Sequence, residues 1–299
     1  MADGDAAGFD RRVTPVREDL AAIALEGQIV APRYASGTDF QVINAAAALR
    51  RTPQRDGALE TELLFGEAIT LYDRQDGWGW GQARFDQYVG YIELTALASP
   101  VNPPTHRVSV LRTYRYSAPD LKSPPLDLIS LNAQINLTGE LEKRFVRETR
   151  GGWIVAEHLA PFASFEDDPV AVAERLIGTP YLWGGRQSLG LDCSALVQNA
   201  FEACGVELPR DTDQQQAWCA QHAEMVYSST GDPGDLADVN LQRGDLVYWR
   251  GHTALMIDAE TMVHANGTHM EVSRDLLRGF AGAVATEAGP VIAIYRPQF

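Results

Sequence analysis

The chain has 299 residues, 45% hydrophobic and 22% charged, the makeup of a soluble globular protein with room for two or three domains. Its formal net charge of −15, with no basic run, makes nucleic acid and anionic membrane surfaces poor partners. The N-terminus lacks a signal-peptide core, no run approaches the ~18 apolar residues of a membrane span, and Cys193, Cys204 and Cys219 form no CxxC pair or disulfide framework, so a reducing cytoplasmic setting is expected.

In chain order, residues 1–12 read as disordered. Pro15 to Gly27 is predicted as a helix, with Leu20, Ile23 and Ala24 on one face and Gly27 as its stop. Residues 1–48 are thus expected to be an N-terminal arm carrying one short helix. From 49 to 100 the pattern changes to short β-type runs between Gly and Asp turns. Ile69, Leu71, Tyr72, Trp78, Trp80, Val89 and Tyr91 are its inward-facing candidates. Such short strands in quick succession predict a small barrel. SPVNPP (99–104) reads as a linker. Residues 105–163 repeat the theme: LRTYRYSAPD is similar to LRRTPQRDGA, and SLNAQINLTG to LFGEAITLYD. A second barrel arising by duplication is expected there.

Residues 166–299 place helices before strands, an α+β order. Asp168 caps a helix with Pro169 at its first position. A Gly-rich loop then leads into a helix that Cys193 opens, with Leu196, Val197, Ala200, Phe201 and Cys204 on its apolar face and Gly205 as its end. A third helix is predicted within 210–223, capped by Asp211 or Thr212, and a surface loop over 228–240. Strands follow at 245–249, 252–258 and 261–265, with a last one at 291–297 after a helical or irregular insert.

Cys193 is the candidate nucleophile, because unpaired N–H groups at a helix start and the helix dipole favour thiolate. Such a nucleophile needs a base, and the base an orienting partner. His252 and His264 would lie roughly opposite one another across a hairpin that turns near Asp258 to Thr261. Taken singly, each residue has an ordinary reading: an inert buried thiol, a turn residue and a core histidine. A Cys/His/His zinc site is a further alternative, though its spacing is wider than in most single motifs.

PYLWGG, DCSALV, GHTALM and VHANG, in that order, resemble the blocks of the NlpC/p60 family of papain-like cysteine peptidases. Ala195 stands where that pattern has Gly, and Thr253 and Met256 replace family residues on the histidine strand. The resemblance implies Cys193 as nucleophile, His252 as general base, His264 as the orienting residue, and neither metal nor cofactor. Two SH3-like barrels ahead of such a domain are similar to the dipeptidyl-peptidase VI group. That group cleaves the γ-D-glutamyl bond to a diamino acid in short murein peptides with a free N-terminal L-Ala.

By the same resemblance Tyr181, Asp192, Ser194, Asp211 and Thr212 would line the substrate pocket, with Trp183 on its wall. Tyr88 and Glu62 of the first barrel would overhang it. Helix capping alone also accounts for Asp192 and Asp211, so both readings stand. The rival functions are a papain-like acyltransferase or amidase acting on another amide, and a non-catalytic module that binds cell-wall peptide.

Overall fold

The computed structural model describes residues 8–229, 236–284 and 289–298. The chain divides into two units, Met1–Phe162 and Ala163–Phe299.

Among its described residues the first unit is all β apart from 3-10 turns. The expected helix at 15–27 is instead a hairpin, Val16–Arg17 with Leu20–Ala22, followed by a 3-10 turn at Ile23–Leu25. Leu20, Ala21 and Ala22 are all buried while Ile23 is 46% exposed, so burial follows no helical stripe. A short apolar run of this kind fits a buried strand as well as a helix, and here pairing with Tyr34–Ala35 decides. The described part of the stretch expected to be disordered is tied down: the Arg12 carbonyl accepts the Val89 N–H, and its guanidinium pairs with Asp10.

A seven-stranded sheet runs from Thr38–Val42 to Leu97–Ala98. It therefore takes in residues that the sequence assigned to the arm. Its core holds Val42, Leu49, Leu63, Ile69, Leu71 and Ile92. The expected facing of the aromatics is reversed. Gly79, Gly81 and Gly90 point inward, where an added Cβ would lie 2.6–2.8 Å from Leu71 or Leu49 side-chain atoms. Trp78, Trp80 and Tyr91 stand on the alternate positions, off the barrel core, since adjacent strand residues take opposite faces; Trp78 and Tyr91 are half-buried there, and Trp80 is buried with the Arg17 guanidinium over its ring.

Residues 106–161 form a three- and a five-stranded sheet around Val108, Ile129, Ile135 and Ile154. Phe65, which directly follows the Leu59–Leu64 strand of the preceding sheet, is buried in this core, with the Arg115 guanidinium 4.1 Å from its ring centre. The Pro-rich 99–104 segment is pinned: Gln41 bonds Asn102 through both its amide atoms, and Arg150 donates to the Pro100 carbonyl.

The second unit sets helices against a six-stranded antiparallel sheet, in the order Ala223–Ser228, Ala293–Pro297, Leu246–Trp249, His252–Met256, Thr261–Asn266, Glu271–Leu276. The helices are α1 (Pro169–Arg175), α2 (Cys193–Ala203), α3 (Thr212–His222) and α4 (Leu277–Val284). Helix α2 is buried at all but one position and packs on α1 and on the strands of His252 and His264. Of the expected 228–240 loop, residues 230–235 lie outside the described residues; Leu236–Asp238 is a 3-10 turn. The insert before the last strand supplies Glu271–Leu276 and α4.

Candidate active site

Helix α2 starts where Asp192 caps it. The Asp192 Oδ1 accepts from the Ala195 N–H at 2.9 Å and from Ser194 Oγ at 3.1 Å. The Arg210 guanidinium grips both carboxylate oxygens, at 2.9 and 2.7 Å, and the Gly184 N–H donates to Oδ2 at 2.9 Å. Five donors fill a carboxylate with about four lone-pair directions. Asp192 and Ser194 hold the Gly-rich loop, the helix start and Arg210 together. Ala195, in place of Gly, is fully buried without disturbing the cap.

Cys193 occupies the first turn of α2 and is 6% exposed. The expected shift toward thiolate does not occur. Burial, then the Asp192 carboxylate, push its pKa up to about 12, against the opposing pull of the Thr253 and Ser194 N–H groups and Arg210. The Thr253 N–H contact sets the sulfur beside the start of the His252 strand. Tyr181 is half-buried, and burial with the nearby Cys193 and Asp192 raises its hydroxyl pKa.

The two histidines meet. His252 Nε2 is 2.9 Å from His264 Nδ1, and burial followed by His264 lowers the His252 pKa to about 3. His264 is wholly buried, with Phe280 edge-on at 4.3 Å. Its Nε2 lies 3.0 Å from Asp275 Oδ2, which also accepts from Ser273 Oγ at 2.7 Å. Burial lowers the His264 pKa despite the raising effect of Asp275. Burial acts to raise the Asp275 pKa, but its hydrogen bonds to His264, Ser273 and His269 outweigh this and lower it.

Asp275 and Arg210 are the polar residues the sequence reading missed. Arg210 had a signal, a basic residue beside Asp211 at a helix start. Asp275 had none: it lies beyond the recognised blocks, on a strand of the expected helical or irregular insert.

Asp211 stands at the N-cap of α3, but its side chain does not cap, and Thr212 follows it; both are half-buried. Trp183 is 71% exposed. Tyr88 and Glu62 belong to the first unit. The Tyr88 ring is in the core of that barrel with its hydroxyl 3.4 Å from Glu60, and Glu62 is buried opposite Ala48.

A cysteine at a helix start, set beside a histidine strand of an antiparallel sheet, is the layout of a papain-like cysteine hydrolase. Residues 178–281 match the NlpC/P60 family model, and residues 49–97 match that of the bacterial dipeptidyl-peptidase Sh3 domain. A probable endopeptidase NlpC homolog of Haemophilus influenzae is 30% identical over 53% of this chain and 80% of its own. The chain belongs to the NlpC/P60 family and is a cysteine-type hydrolase. The gamma-D-glutamyl-L-lysine dipeptidyl-peptidase of Bacillus cereus is 25% identical over 69% of this chain and 67% of its own. A crystal structure of a Bacillus cereus NlpC/P60 family protein superposes with a TM-score of 0.70 at 18% identity, covering 87% of this chain and 99% of that one, a likeness of fold. Among the described residues no helix is long and apolar enough to cross a membrane.

Proposed function

We propose that the protein hydrolyses the γ-D-glutamyl–diamino acid bond of short murein peptides with a free N-terminal L-Ala, in the turnover of such peptides in the cytoplasm. The observation that carries this is the run of polar contacts His252–His264–Asp275 beside Cys193, on a chain whose relative over two thirds of its length is named for γ-D-glutamyl-L-lysine cleavage. Three cysteines with no disulfide among the described residues suit a reducing compartment.

The proton order follows from the carboxylate. Asp275 is ionised at neutral pH, so His264 Nε2 carries the hydrogen that faces it. Asn266 Nδ2 also stands 3.2 Å from that nitrogen, but it donates to Ser273 Oγ, and the carboxylate is the stronger acceptor. Neutral His264 then offers a bare Nδ1. His252 donates Nε2–H to it and keeps the lone pair on its own Nδ1 for the thiol.

At rest, thiol and imidazole are both neutral. As Sγ attacks the γ-glutamyl carbonyl, its proton moves to His252 Nδ1 and the carbonyl electron pair moves onto oxygen, facing the Cys193 N–H and Tyr181. The oxyanion collapses, the C–N bond breaks, and His252 returns the proton to the leaving amine. Water, deprotonated by His252, then splits the thioester to free L-Ala-D-Glu and the thiol. Asp211 is the carboxylate we assign to the substrate ammonium, with Thr212 and Trp183 flanking it. Tyr88 and Glu62 have no part in this assignment.

The test is mass-spectrometric release of dipeptide from L-Ala-γ-D-Glu-L-Lys and from its diaminopimelate counterpart, with Cys193→Ala as control and the N-acetylated peptides alongside. Turnover of the free peptides, its loss in Cys193→Ala, and a fall of about 100-fold on acetylation are expected, since a site that pairs with a charged amine discriminates against a substrate lacking it. Equal turnover by the wild type and Cys193→Ala, or of free and acetylated peptides, would refute the assignment.

A further inference from the structure

The reversed facing of the first sheet leaves three aromatic rings outside its core, and they line a cleft. Its volume is about 600 Å³, within the range of small-ligand sites. Trp78, Trp80 and Tyr91 come from adjacent strands, Pro53 from the loop before them, and residues 17–19 from the N-terminal hairpin. Four of the ten residues around it are carboxylates and one is a cation.

That cation shows what the cleft accepts. The Arg17 guanidinium lies 4.9 Å from the centre of the Trp80 ring, bonded to Asp19 at 2.6 and 3.1 Å and also to Asp73. Burial works against the Arg17 charge, yet its bonds to Asp19 and Asp73 prevail and raise its pKa. The other two carboxylates, Glu18 and Asp76, are exposed and make no ion pair among the described residues. Asp76 is held by a tight turn: it and Gly77 take φ of +52° and +83° between the two strands of a hairpin. Trp78 and Tyr91 are half-buried beside them. A divalent metal is a poor fit, because Asp19 and Asp73 are already taken by Arg17 and the described residues hold no cluster of three or more ligating groups.

We infer that this cleft is a second peptide site. It would take a peptide with an alkyl-ammonium side chain, the stem lying on Trp78 and Tyr91 and the charged end facing Glu18 and Asp76. The site lies wholly within the first unit and needs no turnover.

The test uses the full chain carrying Cys193→Ala, followed by tryptophan fluorescence and calorimetry. The probe is Nα-acetyl-L-alanyl-L-lysine amide, whose blocked front end lacks the ammonium assigned to Asp211, with its fully acetylated form as the uncharged control. Saturable binding of the charged probe is expected. It should weaken about tenfold in Glu18→Gln/Asp76→Asn, the sum of two exposed charge contacts, and weaken again between 50 and 500 mM salt. Trp78→Phe should remove most of the fluorescence change while retaining calorimetric heat. Both changes alter exposed or half-buried positions, and circular dichroism checks the fold. No binding, equal binding of the acetylated probe, or unchanged binding by the double variant would each overturn the site. None of these results bears on hydrolysis by Cys193.

Discussion

Replacing Asp275 by Asn tests the proton order directly. The substitution keeps the size and both hydrogen-bonding positions but removes the charge that makes His264 Nε2 a donor. In the native site that bond is 3.0 Å, and the next link, His264 to His252, is 2.9 Å. A hydrogen bond to a charged partner is worth about 1.5–3 kcal/mol. One intervening ring transmits part of this, so a fall in kcat of about 10- to 100-fold is expected, with KM within about twofold. The substrate-independent readout is alkylation of Cys193 by iodoacetamide. Because the resting sulfur is a thiol, alkylation also needs His252 to accept its proton, and the rate should fall in step with kcat. Asp275→Glu retains the charge and should recover most of the alkylation rate. An Asp275→Asn protein that folds normally and matches the wild type within twofold, in both kcat and alkylation, would refute the argument.

Three further outcomes follow from the same structure. Arg210→Met leaves the Asp192 carboxylate buried without its bidentate partner and should cost about 3–5 kcal/mol, read as a lower urea midpoint; adding Asp192→Asn should restore part of it. Gly66→Ala puts a methyl at φ +83°, where it would meet the Gln134 carbonyl, and should cost about 2–4 kcal/mol in thermal unfolding; an unchanged melting temperature would mean the two strand ends are not in tight contact. His252 is held neutral in the fold down to about pH 3, while the unfolded chain binds its proton below about 6.5. The unfolded state therefore holds more protons in that window, and stability is lost as pH falls, by up to about 1.4 kcal/mol per unit per group. His264 acts in the same direction. Urea midpoints at pH 7 and pH 5 measure the loss, and equal midpoints would contradict it.

The parts of this protein legible in its sequence are those encoded within a few residues. Asp168 followed by Pro169 marks the start of α1, and Asp192 with the apolar spacing behind Cys193 marks α2, because caps and one-sided helices are local. His252 and His264 are placed together by a hairpin whose register a short turn fixes. What lies beyond reach has a common cause. Trp78, Trp80 and Tyr91 alternate with glycines, and alternation fixes that the two sets face opposite ways without fixing which faces the core; the close approach of Leu71 and Leu49 to Gly79, Gly81 and Gly90 decided it. LAAIAL fits strand or helix until Tyr34–Ala35 pairs with it. The state of Cys193 depends on how deeply the folded chain buries the sulfur, which its position at a helix start does not disclose. Asp275 reaches His264 across two paired strands and Arg210 reaches Asp192 from 18 positions away, so each bond exists only once the chain has closed on itself.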